Sequence, residues 1–272
     1  FIKFPLNNSI FYLKMRYNVN GENMSNIKKV LGCLRKADND YNLITDGDKI
    51  CVGISGGKDS SVLLYCLYLY QKFSRKKYQL IPIYCDLGFG DNNINELIEY
   101  FRQFDLEIII YSTQIKEILE LHLTEEEKYE CSLCSKLKKG AIIEAAKKYG
   151  CNKLAFGHHS DDAVETLFMN MIHGGRLATF LPDMYLSRMD INLIRPLIYS
   201  YESDISKTIK DLKIPIVKSN CINDGNTERE NIKNLLENIY NIYKCRENFQ
   251  LMLRNYKKVQ IFKPKEKESI IK

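Results

Sequence analysis

KICVGISGGKDSSVLLYCLYLY, residues 49–70, is the stretch on which the fold turns. Lys49–Ile54 is apolar without polar alternation, the pattern of a strand buried on both faces. Ser55-Gly56-Gly57-Lys58-Asp59-Ser60 follows, and then Ser60–Phe73, whose middle, Val62–Tyr70, is apolar throughout. Strand, glycine turn and helix N-terminus form the geometry that holds phosphate, because backbone N–H groups point outward and the helix dipole favours negative charge there. Gly56 and Gly57 bring the backbone close to an anion with no Cβ in the way. Ser55 and Ser60 offer hydroxyl donors, and Lys58 offers charge.

Outward from this unit the alternation continues. Gln79–Cys85, Leu106–Tyr111 and Lys153–Phe156 read as strands; Ile94–Phe104, Ser132–Tyr149 and Asp161–His173 read as helices. The fold class expected is α/β, doubly wound, on a mainly parallel sheet. Asn26–Tyr41, Tyr201–Leu212 and Arg229–Tyr243 look helical and add to it at both ends. Gly174–Arg195 reads as irregular, with a short apolar piece at Ile191–Ile194. The domain reading is an N-terminal extension (1–25), one α/β unit (26–217), a C-terminal loop with helices (218–256) and a basic tail (257–272).

Composition excludes several classes. With 45% hydrophobic and 27% charged residues in 272, the chain is an ordinary globular mixture. Its longest apolar run, Val62–Tyr70, is far short of the roughly 20 residues that cross a bilayer, so no membrane partner is expected. Phe1–Asn20 lacks the compact apolar core of a secretory signal, and Met24 reads as an alternative start. Nine cysteines, an odd number spread along the chain, make a poor disulfide framework and point to a reducing cytoplasm. Cys51, Cys66 and Cys85 lie inside apolar runs and read as core thiols. Lys244, Arg246, Arg254, Lys257, Lys258, Lys263, Lys265, Lys267 and Lys272 face only Glu247, Glu266 and Glu268. The whole net charge of +6 therefore sits in this last segment, which suits either a polyanion such as RNA or a solvated tail.

The glycine loop is not the nucleoside-triphosphatase P-loop, which has four residues between its glycines and then Lys-Ser/Thr. It also lacks the spacing of the dinucleotide fingerprint. A carboxylate inside a phosphate cradle repels the anion unless a cation stands between, so Asp59 predicts Mg²⁺. Strand C-termini of open α/β sheets are where ligands bind. That edge holds Asp86, after Ile83-Tyr84-Cys85, as a partner for adenosine or a metal. It also holds Gly157-His158-His159-Ser160-Asp161-Asp162. There Gly157 permits close approach of a nucleotide, Asp162 or Ser160 serves as a helix cap, and Asp161 and Asp162 are either caps or ligands. His158 and His159 read as packing groups before general bases. Arg229 and Lys233, one helical turn apart, either meet phosphate or face solvent.

Cys131-Ser132-Leu133-Cys134 opens a helix and sets two sulfurs at i and i+3. The helix N-terminus and Lys136, Lys138 and Lys139 make an electropositive setting that suits metal-binding thiolates. Zinc, an iron–sulfur cluster and a redox disulfide all use this spacing. No second such pair exists in the sequence. Among the remaining cysteines, Cys221 lies in a polar loop, whereas Cys33, Cys151 and Cys245 read as core or surface thiols. Three cysteines can hold three irons of a 4Fe-4S cluster and leave the fourth iron open.

Ser55–Ser60 resembles the PP-loop of the ATP pyrophosphatase superfamily, enzymes that split ATP between the α and β phosphates. This resemblance implies a parallel five-stranded sheet with helices on both faces. The set of PP-loop, Cys131–Cys134, Gly157–Thr166, and Cys221 followed by Arg229 and Ile232-Lys233 resembles the tRNA 2-thiocytidine synthetase family, from about Asn26 to about Tyr256. The resemblance implies a tRNA-cytidine sulfurtransferase. ATP activates the C2 oxygen of an anticodon-loop cytidine, and sulfur arrives through a 4Fe-4S cluster. Carried over to this chain, the cluster ligands are Cys131, Cys134 and Cys221, with Asp59 beside them as the fourth catalytic residue. The nucleotide site comprises Ser55, Gly56, Gly57, Lys58, Asp59, Ser60, Asp86, Gly157 and Asp161. A tRNA substrate, a sulfur donor such as a cysteine desulfurase, and a homodimer are implied as well. The chain departs from the family in having a single cysteine, Cys221, where two are frequent. The rivals are a tRNA(Ile)-lysidine synthetase-like ligase, which needs no cluster, a PP-loop sulfurtransferase with another substrate, and a non-catalytic metal- and RNA-binding module.

Overall fold

The computed structural model describes residues 25–90, 93–123, 129–217 and 228–255. In chain order the elements are α1 (Ser25–Tyr41), β1 (Lys49–Ile54), α2 (Lys58–Phe73), β2 (Gln79–Asp86), α3 (Asn95–Arg102), β3 (Ile109–Ser112), α4 (Ile115–Glu120), α5 (Cys131–Lys148), β4 (Lys153–Ala155), α6 (Ser160–Gly174), β5 (Asp183–Leu186), β6 (Ile191–Ile194), α7 (Glu202–Leu212), α8 (Glu228–Tyr243) and α9 (Arg246–Arg254). The N-terminal extension, the polar loop with Cys221 and most of the basic tail lie outside the described residues. No described helix is long and apolar enough to cross a membrane.

One six-stranded sheet runs in the order β3-β2-β1-β4-β6-β5. β1 pairs in parallel with β2 on one side and with β4 on the other. The chain therefore steps outward from β1 to β3, then crosses back to lay β4 against the free side of β1. At that reversal the loops leaving β1 and β4 lie side by side at the carboxyl edge of the sheet, the edge at which open α/β folds take ligands. The doubly wound expectation stands, and β6 is the apolar piece at Ile191–Ile194. The strand number is six rather than five, because β5 adds an antiparallel edge to β6.

Both faces of the sheet are covered, which is why β1 shows no polar alternation. Ile50, Val52 and Ile54 enter the larger core, with α1, α2 and α7. Cys51 enters the smaller core, with Ile83, Leu154 and Ile191 beneath Ile142, Ala145 and Ala146 of α5. Each fully buried Leu or Ile contributes about 1.5–3 kcal/mol. α2 is buried almost throughout its length from Ser60 to Tyr70, so its apolar run is a core run. Cys51 and Cys66 are fully buried, and Cys85 is half-buried. Burial pushes the Cys66 thiol far up and that of Cys85 to about 11, so neither is primed as a metal ligand. α8 packs on α6 through Ile232, Leu236 and Tyr240 against Val164, and Phe249 of α9 joins the same group.

The amino end of the sheet is locked by one buried ion pair. Lys153 Nζ lies 2.8 Å from Asp48 Oδ2 and donates to Leu43 O. Thr45 N and Asn152 Nδ2 also donate to the Asp48 carboxylate. Burial opposes charge on Asp48, but the hydrogen bonds from Lys153, Thr45 and Asn152 overcome it and hold its carboxyl below the usual range. A depressed carboxyl stabilises the fold above its unfolded value, and that contribution disappears as pH falls through the folded value. Lys153→Met leaves a buried carboxylate alone and is expected to cost about 3 kcal/mol at pH 7. The loss should shrink in acid, because burial raises the variant's carboxyl once Lys153 no longer holds it down, so it takes up a proton that the wild-type carboxyl does not. Urea unfolding at pH 7 and pH 4 measures both numbers; an equal loss at the two pH values refutes the lock.

Candidate nucleotide and thiol site

The loop after β1 is shaped by its own hydroxyls. Gly56 has φ +82°, and a Cβ there would sit 2.6 Å from Val217 Cβ. Its carbonyl accepts from Val217 N at 3.0 Å, which ties the chain after α7 to the loop. Ser60 Oγ donates to Gly57 O and accepts from Ser55 N, and it lies 3.0 Å from Ser55 Oγ. Ser55 and Ser60, expected as donors to an anion, thus also brace the loop. α2 begins at Lys58, two residues earlier than the sequence reading, so Lys58, Asp59 and Ser60 form its first turn. Its N-cap residue, Gly57, has no side chain to cap with. A sixteen-residue helix therefore aims its dipole into the cradle without a competing cap.

The far wall comes from the end of β4. Gly157 was expected to give a nucleotide room; instead it lies against protein backbone. A Cβ there would meet Asp59 C at 2.8 Å and Ser60 N at 2.9 Å. His159, rather than Asp162 or Ser160, is the N-cap of α6. Its Nδ1 accepts from Asp162 N, and its own N–H donates to the Asp162 carboxylate. His158 is sandwiched near Phe156 and Phe180, at ring separations of 5.7 and 5.0 Å. Burial lowers its imidazole to about 4, so it is neutral at physiological pH and serves as a packing group. Asp161 does not face the cradle with an unclaimed carboxylate. It accepts from Glu202 N at 2.7 Å and from Arg246 Nε at 3.0 Å, which joins α6 to α7 and α9.

Charged side chains gather at this edge. Lys58 Nζ stands 3.1 Å from Asp59 Oδ2 and 3.1 Å from Glu202 Oε1. Lys233 Nζ stands 3.1 Å from Glu202 Oε2. Arg229 bridges Asp162 at 3.3 Å and Glu165 at 3.6 Å. Among the described residues Asp59 Oδ1 is buried without a hydrogen bond, and His159 Nε2 lies 3.7 Å from it. Burial raises the Asp59 carboxyl above its ordinary range although Lys58 and His159 favour its charge. Glu165 is pushed up to about 7, by burial first and then by Asp162. A carboxyl raised on folding stabilises at low pH and loses that contribution as pH rises towards 7. Glu165→Gln should therefore flatten the stability–pH curve between pH 5 and 7; an unchanged slope in urea titrations contradicts this.

Glu202, Glu165 and Arg246 were not foreseen. Glu202 opens an ordinary surface-patterned helix, and an acid in a first turn is fully explained by the dipole. Only the tertiary approach of α7 to the glycine loop brings it to Lys58.

The cysteine pair occupies the first turn of α5, with Cys131 exposed and Cys134 buried. Cys134 packs with Ile115 and Leu119 of α4, and with Leu87 and Phe89, which follow the carboxyl end of β2. The pair is thus on the same edge of the sheet as the glycine loop, one strand over. Asp86 ends β2 and accepts from Gly88 N at 3.0 Å, holding the turn that carries Leu87. Among the described residues no group of three or more His, Cys, Asp and Glu side chains is arranged to hold a metal ion. The two cysteines are two of three expected ligands, and Cys221 lies outside the described residues.

A family model described as a PP-loop domain matches residues 27–239. The tRNA-cytidine(32) 2-sulfurtransferase of Dechloromonas aromatica is 36% identical over 216 residues, 79% of this chain and 75% of that protein. The protein of the same name from Geobacter sulfurreducens is 34% identical over 211 residues, 77% of this chain and 82% of its own. The chain belongs to the tRNA 2-thiocytidine synthetase family. Its fold is shared with the solved structure of the U34-tRNA thiolase NcsA from Methanococcus maripaludis with its [4Fe-4S] cluster. The two superpose with a TM-score of 0.66 over 88% of this chain and 84% of that one, at 21% identity. The glycine loop of this tRNA 2-thiocytidine synthetase family member lies inside the stretch matched by the PP-loop domain.

Proposed function

We propose that this protein is an ATP-dependent tRNA sulfurtransferase that replaces the C2 oxygen of an anticodon-loop cytidine by sulfur. The observation that carries the reading is the pairing, on one sheet edge, of an uncapped helix N-terminus with a buried orphan carboxylate oxygen and a two-cysteine turn. The substrates are ATP and tRNA. The C2 oxygen bonds to the α-phosphorus and pyrophosphate leaves; AMP leaves when sulfur takes the oxygen's place at C2. Adenylation is needed because a carbonyl oxygen is otherwise a very poor leaving group.

The residues fit the nucleotide. Gly56 and Gly57 supply close backbone approach, the first turn of α2 supplies positive potential, and Lys58 supplies a cation. Asp59 would hold Mg²⁺ with Oδ1, which accepts no hydrogen bond among the described residues and has only His159 Nε2 near it, at 3.7 Å. The two cysteines fit a cluster in chemistry, being soft donors one helical turn apart, with apolar Leu119, Leu87 and Phe89 around Cys134 to limit water. Cys131, Cys134 and Cys221 would hold a 4Fe-4S cluster, which supplies an open iron able to carry the transferred sulfur. Residues 26–217 then form the ATPase domain and 218–256 complete the thiol site. A cysteine desulfurase as sulfur donor, a homodimer and a cytoplasmic location accompany this reading.

Purified protein reconstituted with iron and sulfide under anaerobic conditions should convert cytidine to 2-thiocytidine in tRNA from a strain lacking the gene. Nucleoside mass spectrometry reads the product. An unchanged cytidine signal with every tRNA supplied rejects the reading.

A further inference from the structure

The lysine of the PP-loop is not held out towards solvent. Lys58 Nζ is shared between Asp59 Oδ2 and Glu202 Oε1, each at 3.1 Å. Lys233 Nζ, on α8, lies 3.1 Å from both oxygens of Glu202. One carboxylate thus bridges two ammonium groups from different elements at the mouth of the cradle. The side chains of Lys58, Glu202 and Lys233 are 28%, 19% and 35% exposed, so the triad is open to a ligand. Burial alone would raise the Glu202 carboxyl, yet Lys58 and Lys233 hold it down to about 2, so it is charged at any physiological pH. A phosphate oxygen arriving at Lys58 meets that anion at contact range. Two lysines clamped on a fixed carboxylate are also arranged as they would be on a bridging phosphate, since both anions present oxygen acceptors to point-charge donors.

We propose that Glu202 stands in for a nucleotide phosphate between Lys58 and Lys233, so that Lys233 is a second phosphate ligand and Glu202 must yield both lysines when ATP binds. The proposal rests on the ATP-cradle reading above. It assigns Lys233 the phosphate role rather than the solvent role. It also makes Glu202 a competitor for the two cations, one that occupies them until the nucleotide displaces it. Asp161 holds the Glu202 backbone N–H at 2.7 Å, which fixes the start of α7 while the side chain swings.

The test is binding of MgATP and of magnesium pyrophosphate to the purified full chain by calorimetry, without tRNA, cluster or turnover. Glu202→Gln keeps the shape and removes the competing charge, and it should tighten both ligands at least threefold. Lys233→Met should weaken both at least tenfold, and Lys233→Arg should restore most of the loss. Thermal unfolding confirms that each variant is folded. If Glu202→Gln weakens binding, Glu202 is a strut for Lys58 and the proposal is wrong; if Lys233→Met binds as wild type does, Lys233 is not a phosphate ligand and the proposal is again wrong. Wild-type protein that binds neither ligand overturns the cradle reading together with the proposal. Normal binding without thiolation of any tRNA overturns the functional reading but leaves this inference to be judged by the variants.

Discussion

Replacing Cys131 by alanine is expected to remove 2-thiocytidine formation by about a hundredfold or more, because a missing ligand costs at least what a missing outer-shell partner does. ATP affinity should stay close to that of wild type. The residue suits the experiment because its side chain is exposed in the first turn of α5. Exposed substitutions usually change stability by no more than about 0.5 kcal/mol, so lost activity will report chemistry rather than unfolding. Cys134 is a poorer probe, being packed among Ile115, Leu119 and Phe89, where serine would bury a hydroxyl. Cys221→Ala should give the same result as Cys131→Ala, and both should lower the iron bound per chain. Wild-type thiolation by the Cys131 variant would remove the cluster assignment from this pair.

Gly157→Ala carries the second large effect, through backbone rather than chemistry. The added methyl would sit 2.8 Å from Asp59 C, 2.9 Å from Asp59 O and 2.9 Å from Ser60 N, and none of these atoms can rotate away. The β1–α2 loop must shift, at about 1–3 kcal/mol of stability. ATP affinity should fall at least tenfold, about 1.4 kcal/mol, because the shifted atoms are those of the cradle. Gly57→Ala is the contrast for stability. Its backbone is extended, and its Cβ would meet only Ser55 Oγ at 3.4 Å, so its melting temperature should stay near that of wild type. If both variants melt alike, the close packing of Gly157 on the loop is not what fixes glycine there.

Where local pattern decides structure, the sequence was readable. β1 begins and ends where the apolar run does, and the glycine loop could be placed on the strand–helix junction from six residues alone. β5 escaped because Asp-Met-Tyr-Leu is short, has a charged first residue, and pairs only as an antiparallel edge whose partner is a few residues away. α9 escaped because Arg246–Arg254 is nine residues long and buries only Gln250 fully. At the site, the sequence marks Gly157 as room for a nucleotide, whereas the atoms that a side chain there would meet belong to Asp59 and Ser60. Asp161 was counted among the ligands because it stands at a strand end. Its partners, Glu202 and Arg246, are 41 and 85 residues away, and no spacing rule reaches them.

The Asp48–Lys153 pair and the Glu165 carboxyl lie at opposite rims of one sheet and respond to acidity in separate ranges. Mild acidification from pH 8 to 5 discharges Glu165 while Asp48, held below its usual range, keeps its charge. The working rim gains one unit of positive potential beside Arg229, and the foundation beneath it is untouched. Acidification over that range therefore changes the charge at one rim while the pair that ties the other rim together stays ionised.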